Sequence, residues 1–139
     1  MVKVSKANSI NFGFWNGLGG KVDANESPEE CVIREVYEES GLKIKDPTLK
    51  GIITYPDNNG TGDTWYVIVY VAKKFSGKLQ LSPEGDLKWI STKDLGKLKV
   101  HQSDQYFFKW LNKKKVFSAK FLYSGKKGEH LVGHEVSFY

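Results

Sequence analysis

The chain reads as a single α/β domain spanning residues 1–139, and three observations predict it. A length of 139 residues with 40% hydrophobic content suits one buried core and leaves no room for a second domain. A helix with start and stop signals at both ends lies near residues 27–41, and a second helical stretch follows much later. Runs of strand character, separated by turn-forming residues, fill the space between and after them.

Met1 to Val4 is expected to add at most a short strand, because four residues at about 3.3 Å each cannot replace full-length strands. Ser27-Pro28-Glu29-Glu30 forms a helix start, with Ser27 as N-cap, Pro28 at the first helical position and Glu30 closing a capping box. Gly41 stops that helix after about four turns. Val32 and Val36 stand one turn apart and face the core, whereas Glu35, Glu38 and Glu39 project from one side at i, i+3 and i+4. Leu49 to Tyr55 is a strand, and Thr64 to Lys73 is a longer apolar strand of the kind buried on both faces. Between them, residues 57–63 make a turn-rich loop. Leu87 to Ile90 is a short strand, and Ser103 to Leu111 is a helix capped by Ser103 with Phe107 and Leu111 inward. Val116 to Tyr123 and Leu131 to Tyr139 then alternate as a hairpin around Gly125 to Gly128. His130 and His134 are four apart but fall in a strand, so they are assigned no metal.

No apolar run approaches 18 residues, no signal pattern opens the chain, and Cys31 has no partner for a disulfide. A soluble, cytoplasmic protein with no membrane partner is expected. The net charge of +5 is uneven: residues 20–41 carry seven acids against Lys21 and Arg34. Three like charges on one helix side repel unless a cation lies between them, and a hard divalent ion takes carboxylate oxygens. The basic remainder would draw in a polyphosphate. A basic balance also suits nucleic acid, so charge by itself does not choose between them.

Arg34 is the one arginine beside twenty lysines, which implies that its rigid, forked hydrogen bonding is needed there. It sits in Gly20-x5-Glu26-x7-Arg34-Glu35-Val36-x-Glu38-Glu39-x-Gly41-Leu42. Without that spacing, the same helix would read as a solvated face with an Arg34–Glu38 i,i+4 pair, and Glu26, Glu29 and Glu30 as surface acids.

All nine spaced positions match the signature of the Nudix family, which hydrolyses nucleoside diphosphates linked to another moiety, and the chain resembles that family. The resemblance implies an α/β/α sandwich with a mixed β-sheet. It makes Glu38 and Glu39 ligands of Mg²⁺, with Mn²⁺ a possible substitute, and Glu35 a ligand or the base that orients water. The Gly20 carbonyl would be a further ligand, and Arg34 would hold the set in place. Glu84, five residues before Trp89, matches a loop glutamate that approaches the metal in the MutT-type branch. Family members usually begin with two strands; here the first is expected to be missing, with Lys3 at the position of the basic residue that ends the second.

Trp15-Asn16-Gly17-Leu18-Gly19-Gly20-Lys21 is similar to the segment before the motif in oxidised-purine nucleoside triphosphatases. Phe117 to Phe121 and Lys50 to Pro56 resemble Gram-positive members of that group. By this likeness Asn16 and Asp104 read the purine, His101 walls the base, and Lys3 and Lys21 meet the substrate. The implied activity is conversion of a nucleotide such as 8-oxo-dGTP to its monophosphate and pyrophosphate, with nucleic acid not expected as a partner. Two other readings remain open. Pro56 also fits ADP-ribose pyrophosphatases, and a non-catalytic module could bind a nucleotide or RNA through its lysines.

Overall fold

The computed structural model describes residues 1–5, 9, 11–57, 62–125 and 130–139. Two compact units divide the chain, one of residues 1–47 and 72–101, the other of residues 48–71 and 102–139. Of the expected connections, residues 58–61 of the turn-rich loop and 126–129 of the hairpin turn lie outside the described residues. Asp57 Oδ1 accepts the Gly62 N–H at 2.6 Å, tying together the described ends of that loop.

In the first unit β1 (Val2–Val4) runs antiparallel between β2 (Trp15–Asn16) and β7 (Gly85–Leu87). Val2 and Val4 are buried and Lys3 is exposed, the alternation a half-buried strand requires. Gly85 lies directly on the Lys3 carbonyl, so any side chain there would collide with backbone. The strand expected over Leu87 to Ile90 is displaced toward Gly85. Pairing ends at Val2↔Leu87, followed by one last bond from the Lys88 N–H to the Met1 carbonyl at 3.0 Å. Beyond it Trp89 and Ile90 have no ladder partner among the described residues.

The helix α1 (Pro28–Ser40) carries the predicted caps. Ser27 Oγ accepts the Glu30 N–H at 3.2 Å, and Glu30 Oε2 accepts the Ser27 N–H at 2.8 Å. The Ser27 N–H holds the Glu30 carboxyl below its ordinary pKa. Gly41 takes the left-handed conformation, φ 74°, and its N–H reaches the Tyr37 carbonyl. After it, β3 (Lys43–Lys45) pairs antiparallel with β6 (Lys74–Ser76). Three-residue, lysine-rich strands carry too little alternation to be read locally.

In the second unit β4 (Thr48–Tyr55), β5 (Trp65–Val71), β8 (Phe117–Ser124) and β9 (His130–Phe138) form a sheet in the order β5-β4-β8-β9. The β4–β8 pair is parallel and the others antiparallel, so the sheet is mixed as expected. Its register sets Gly51 beside Phe117, Ile53 beside Ala119 and Ala119 beside Val136. Ile53, Phe117, Ala119 and Phe121 are thereby buried together, with Phe107, Trp110 and Leu111 packed against them. The inward placement of Phe107 and Leu111 follows the sequence reading.

Two expectations need correction here. Strand β5 is not buried on both faces: Trp65, Tyr66, Val67 and Ile68 are 37–69% exposed. It is the edge of its sheet, and aromatic and β-branched residues suit an edge strand as well as a central one. The second helix is also shorter than predicted. α2 covers only Asp104–Phe107, and Ser103 makes no side-chain cap, having helical φ and ψ of −60° and −35° itself. Beyond Phe107 the chain continues in turns, with bonds from Trp110 N to Phe107 O at 2.8 Å and from Lys113 N to Trp110 O at 3.0 Å.

Candidate active site

Arg34 is the hub of the first unit. Nε and Nη2 donate to the two oxygens of Glu26 at 2.8 and 2.9 Å, a bidentate pair. Nη1 donates to Glu35 Oε1 at 2.8 Å and to Glu38 Oε2 at 3.2 Å, and Nη2 also reaches the Lys21 carbonyl at 3.1 Å. The Asp23 carboxylate lies 3.6 Å away. Only a planar fork can donate in these directions at once, which accounts for an arginine in a chain otherwise built with lysine. The Arg34 hydrogen bonds, then the Asp23 N–H, bring the Glu26 carboxyl down to about 2. The Glu26 and Glu35 carboxylates in turn raise the already high pKa of the guanidinium.

Glu26 is therefore not a surface acid. Its place among the nine spaced positions was the available signal, but a spacing that crosses from loop to helix does not reveal which residue Arg34 grips.

The carboxylates of Glu35 and Glu39 meet the loop before the helix. Glu39 Oε2 accepts the Gly19 N–H at 2.9 Å. Glu35 packs so tightly on Gly20 that an added Cβ would meet both its oxygens, the farther at 2.6 Å. The Gly20 carbonyl faces the buried Cys31 thiol at 4.0 Å, and burial raises that thiol's pKa. Carboxylates this close repel, and donors orient each one: Arg34 turns Glu35 and Glu38, and the Gly19 amide turns Glu39. Among the described residues no three His, Cys, Asp or Glu side chains converge into a group that could hold a metal ion.

The chemistry of the donors nonetheless fits a hard divalent cation. They are all oxygen, and the Arg34 guanidinium faces the four carboxylates of Asp23, Glu26, Glu35 and Glu38 with one positive charge.

Most of the other residues singled out above also lie in this unit. The Glu84 carbonyl accepts the Ser5 N–H at 3.0 Å, and its own N–H bonds Ser82 Oγ at 3.2 Å, which fixes it at the entrance to β7. Asn16 pairs with Val2 and Lys3 with Trp15, so Asn16 and Lys3 leave opposite faces of the sheet. The Lys21 side chain is exposed while its carbonyl holds Arg34. The His101 ring stacks on Phe14 at 4.6 Å, its Nε2 lies 2.9 Å from Asn11 Oδ1, and burial lowers its pKa. Asp104 belongs to the second unit, at the first position of α2.

The chain that carries this helix and glycine loop is similar to known proteins over most of its length. The NUDIX domain model matches residues 2–111. An uncharacterized Nudix hydrolase of Bacillus subtilis, YvcI, is 33% identical over 104 residues, 73% of this chain and 66% of that protein. The oxidized purine nucleoside triphosphate hydrolase of Mus musculus is 30% identical over 116 residues, 84% of this chain and 74% of the relative. In three dimensions, the MutT protein of Bacillus halodurans superposes with a TM-score of 0.83 at 28% identity, over 98% of this chain and 87% of that one. The chain belongs to the Nudix hydrolase family. Hydrolases of this family generally use divalent metal ions. No helix among the described residues is long and apolar enough to cross a membrane.

Proposed function

We propose that this chain is a Mg²⁺-dependent pyrophosphohydrolase of oxidised purine nucleoside triphosphates, converting 8-oxo-dGTP to the monophosphate and pyrophosphate, with Mn²⁺ able to substitute. The observation that carries this reading is the Arg34 hub, which orients Glu35 and Glu38, with Glu35 packed on Gly20. The substrate named for the mouse relative supports the choice of nucleotide.

Glu38, Glu39 and Glu35, with the Gly20 carbonyl and Glu84, would hold the cation. When bound, it neutralises phosphate charge and lowers the pKa of water. Arg34 keeps Glu35 at a fixed place and orientation, so that it can take a proton from the attacking water or bind the ion. Lys21 contributes positive charge toward the polyphosphate. Asn16 donates to O6 and accepts from the N7–H that only the 8-oxo base carries. His101, held flat by Phe14, offers a wall for the base. Lys3 leaves the opposite sheet face from Asn16 and is given no base contact.

The test is a substrate panel with Mg²⁺, read by pyrophosphate release, in wild type and Glu39→Gln. Pyrophosphate from 8-oxo-dGTP, abolished by EDTA and reduced by orders of magnitude in the folded variant, is the expected result. AMP and ribose 5-phosphate from ADP-ribose, or binding without any product, would replace this reading with another.

A further inference from the structure

The sheet of the second unit has two edges, and they are built differently. The β9 edge carries His130, Gly133, His134 and Glu135, and its register against β8 shifts between Leu122 and Tyr123. Charge, glycine and a bulge all deter another strand from adding there. The β5 edge lacks such guards: residues 64–72 include no charged residue, glycine or proline. Among the described residues β4 is its one ladder partner, and no backbone hydrogen bond reaches β5 from the other side. Trp65, Tyr66, Val67 and Ile68 are exposed. An open apolar edge of this kind is where a further strand adds.

The sequence of β5 identifies the strand that fits it. Tyr66-Val67-Ile68-Val69-Tyr70 reads the same in both directions. When two copies lie antiparallel about a two-fold axis at Ile68, each of these side chains meets its like: Tyr66 faces Tyr70, Val67 faces Val69 and Ile68 faces Ile68. The faces agree as well. Val67 pairs with the buried Ile53 and Val69 packs on the core, so both extend the buried face, while Tyr66, Ile68 and Tyr70 share the other. Just past the strand ends, the same axis brings Asp63 of one copy toward Lys73 of the other, and both are exposed. The acidic end of each copy thereby meets the basic end of the second, whereas parallel pairing would bring Lys73 to Lys73. Only the sign of these charges enters, and no hydrogen bond is required of Asp63.

We propose that the β5 edge pairs with the β5 edge of a second copy of this chain, antiparallel about Ile68, joining two four-stranded sheets into one of eight strands. Each chain has one such edge, so the pairing closes at two. The interface is small. Trp65 and Tyr66, 44% and 69% exposed, bring on the order of 200 Å² of aromatic surface from each copy. A stable complex takes about 800 Å² per partner, so this dimer forms and dissociates with concentration.

The experiment is sedimentation velocity on the full chain from about 2 to about 200 µM, where the mean mass should climb from monomer toward dimer. Ile68→Lys sets two ammonium groups against each other at the axis and should stay monomeric, with near-UV circular dichroism checking its fold. Cysteine cross-linking tests the register independently of that variant, because directly opposed residues lie about 4.5–5.5 Å apart at Cα, within disulfide reach. Under mild oxidation Ile68→Cys should form a disulfide dimer by itself. Tyr66→Cys should not, being about 13 Å from its own copy, but should do so when mixed with Tyr70→Cys. Wild type, whose Cys31 is buried, is the control. A monomer at every concentration with no Ile68→Cys dimer, growth beyond two chains, or cross-linking of Tyr66→Cys to itself overturns the proposal. A dimer that persists in Ile68→Lys without any cross-link at Ile68 uses another surface, and overturns it too.

Discussion

Gly20→Ala should separate catalysis from stability in this protein. An alanine Cβ would meet both Glu35 oxygens, the farther at 2.6 Å, and the carboxylate must retreat by about 1 Å to reach ordinary contact. Gly20 is not in the left-handed region, so alanine imposes no backbone strain there. The obstructing atoms are the far end of a flexible side chain, and the loss is confined to the 2.8 Å bond between Glu35 and Arg34. Melting temperature should therefore fall by no more than about 4 °C. Turnover is another matter, because a misplacement of about 1 Å at a reacting group can lower the rate about a hundredfold. The assay is pyrophosphate release from 8-oxo-dGTP under saturating Mg²⁺, with differential scanning fluorimetry on the same samples. A cycle with Glu35→Ala sharpens it: once the Glu35 carboxylate is gone, Gly20→Ala should cost nothing further. Turnover of Gly20→Ala within about threefold of wild type, or full additivity in the cycle, would refute the idea that the bare Gly20 exists to seat Glu35.

Arg34→Lys keeps the charge but cannot make the two-pronged contact with Glu26 while also reaching Glu35 and Glu38, so kcat should fall roughly ten- to a hundredfold; a lysine variant with unaltered steady-state kinetics contradicts this. Asn16→Ala should lower the kcat/KM ratio of 8-oxo-dGTP over dGTP about ten- to a hundredfold, because the amide oxygen proposed to meet the N7–H is lost; equal rates on both nucleotides in the wild type would sink the assignment. The Glu26 carboxyl, held at about 2 against an ordinary 4.5, contributes stability that is complete above about pH 4.5 and is lost as pH falls toward 2, since the unfolded chain binds the proton first. Urea midpoints from pH 6 to about pH 2.5 should show an acid-side decline that is shallower in Glu26→Gln, and identical slopes would remove Glu26 as its source.

Helix α1 was legible to the residue because its signals act within a turn: Ser27 and Glu30 bond each other, Pro28 presets φ, and Gly41 supplies the left-handed stop. The alternation of β4, β8 and β9 was legible for the same reason, as was the presence of Glu35, Glu38 and Glu39 on one helix side. Spacing along the chain fixes these relations before any packing occurs. What the side chains then touch depends on partners far away in sequence. Glu26 crosses a loop to take two of the Arg34 donors, and Ser103, read as a cap, is instead claimed by Tyr55 from 48 residues earlier. His101 finds Asn11 from 90 residues away, and the three-residue strands β3 and β6 exist only because each supplies the other's ladder. A hydroxyl, guanidinium or short strand has several partners that would satisfy it equally well, and sheet register decides which of them comes within about 3 Å.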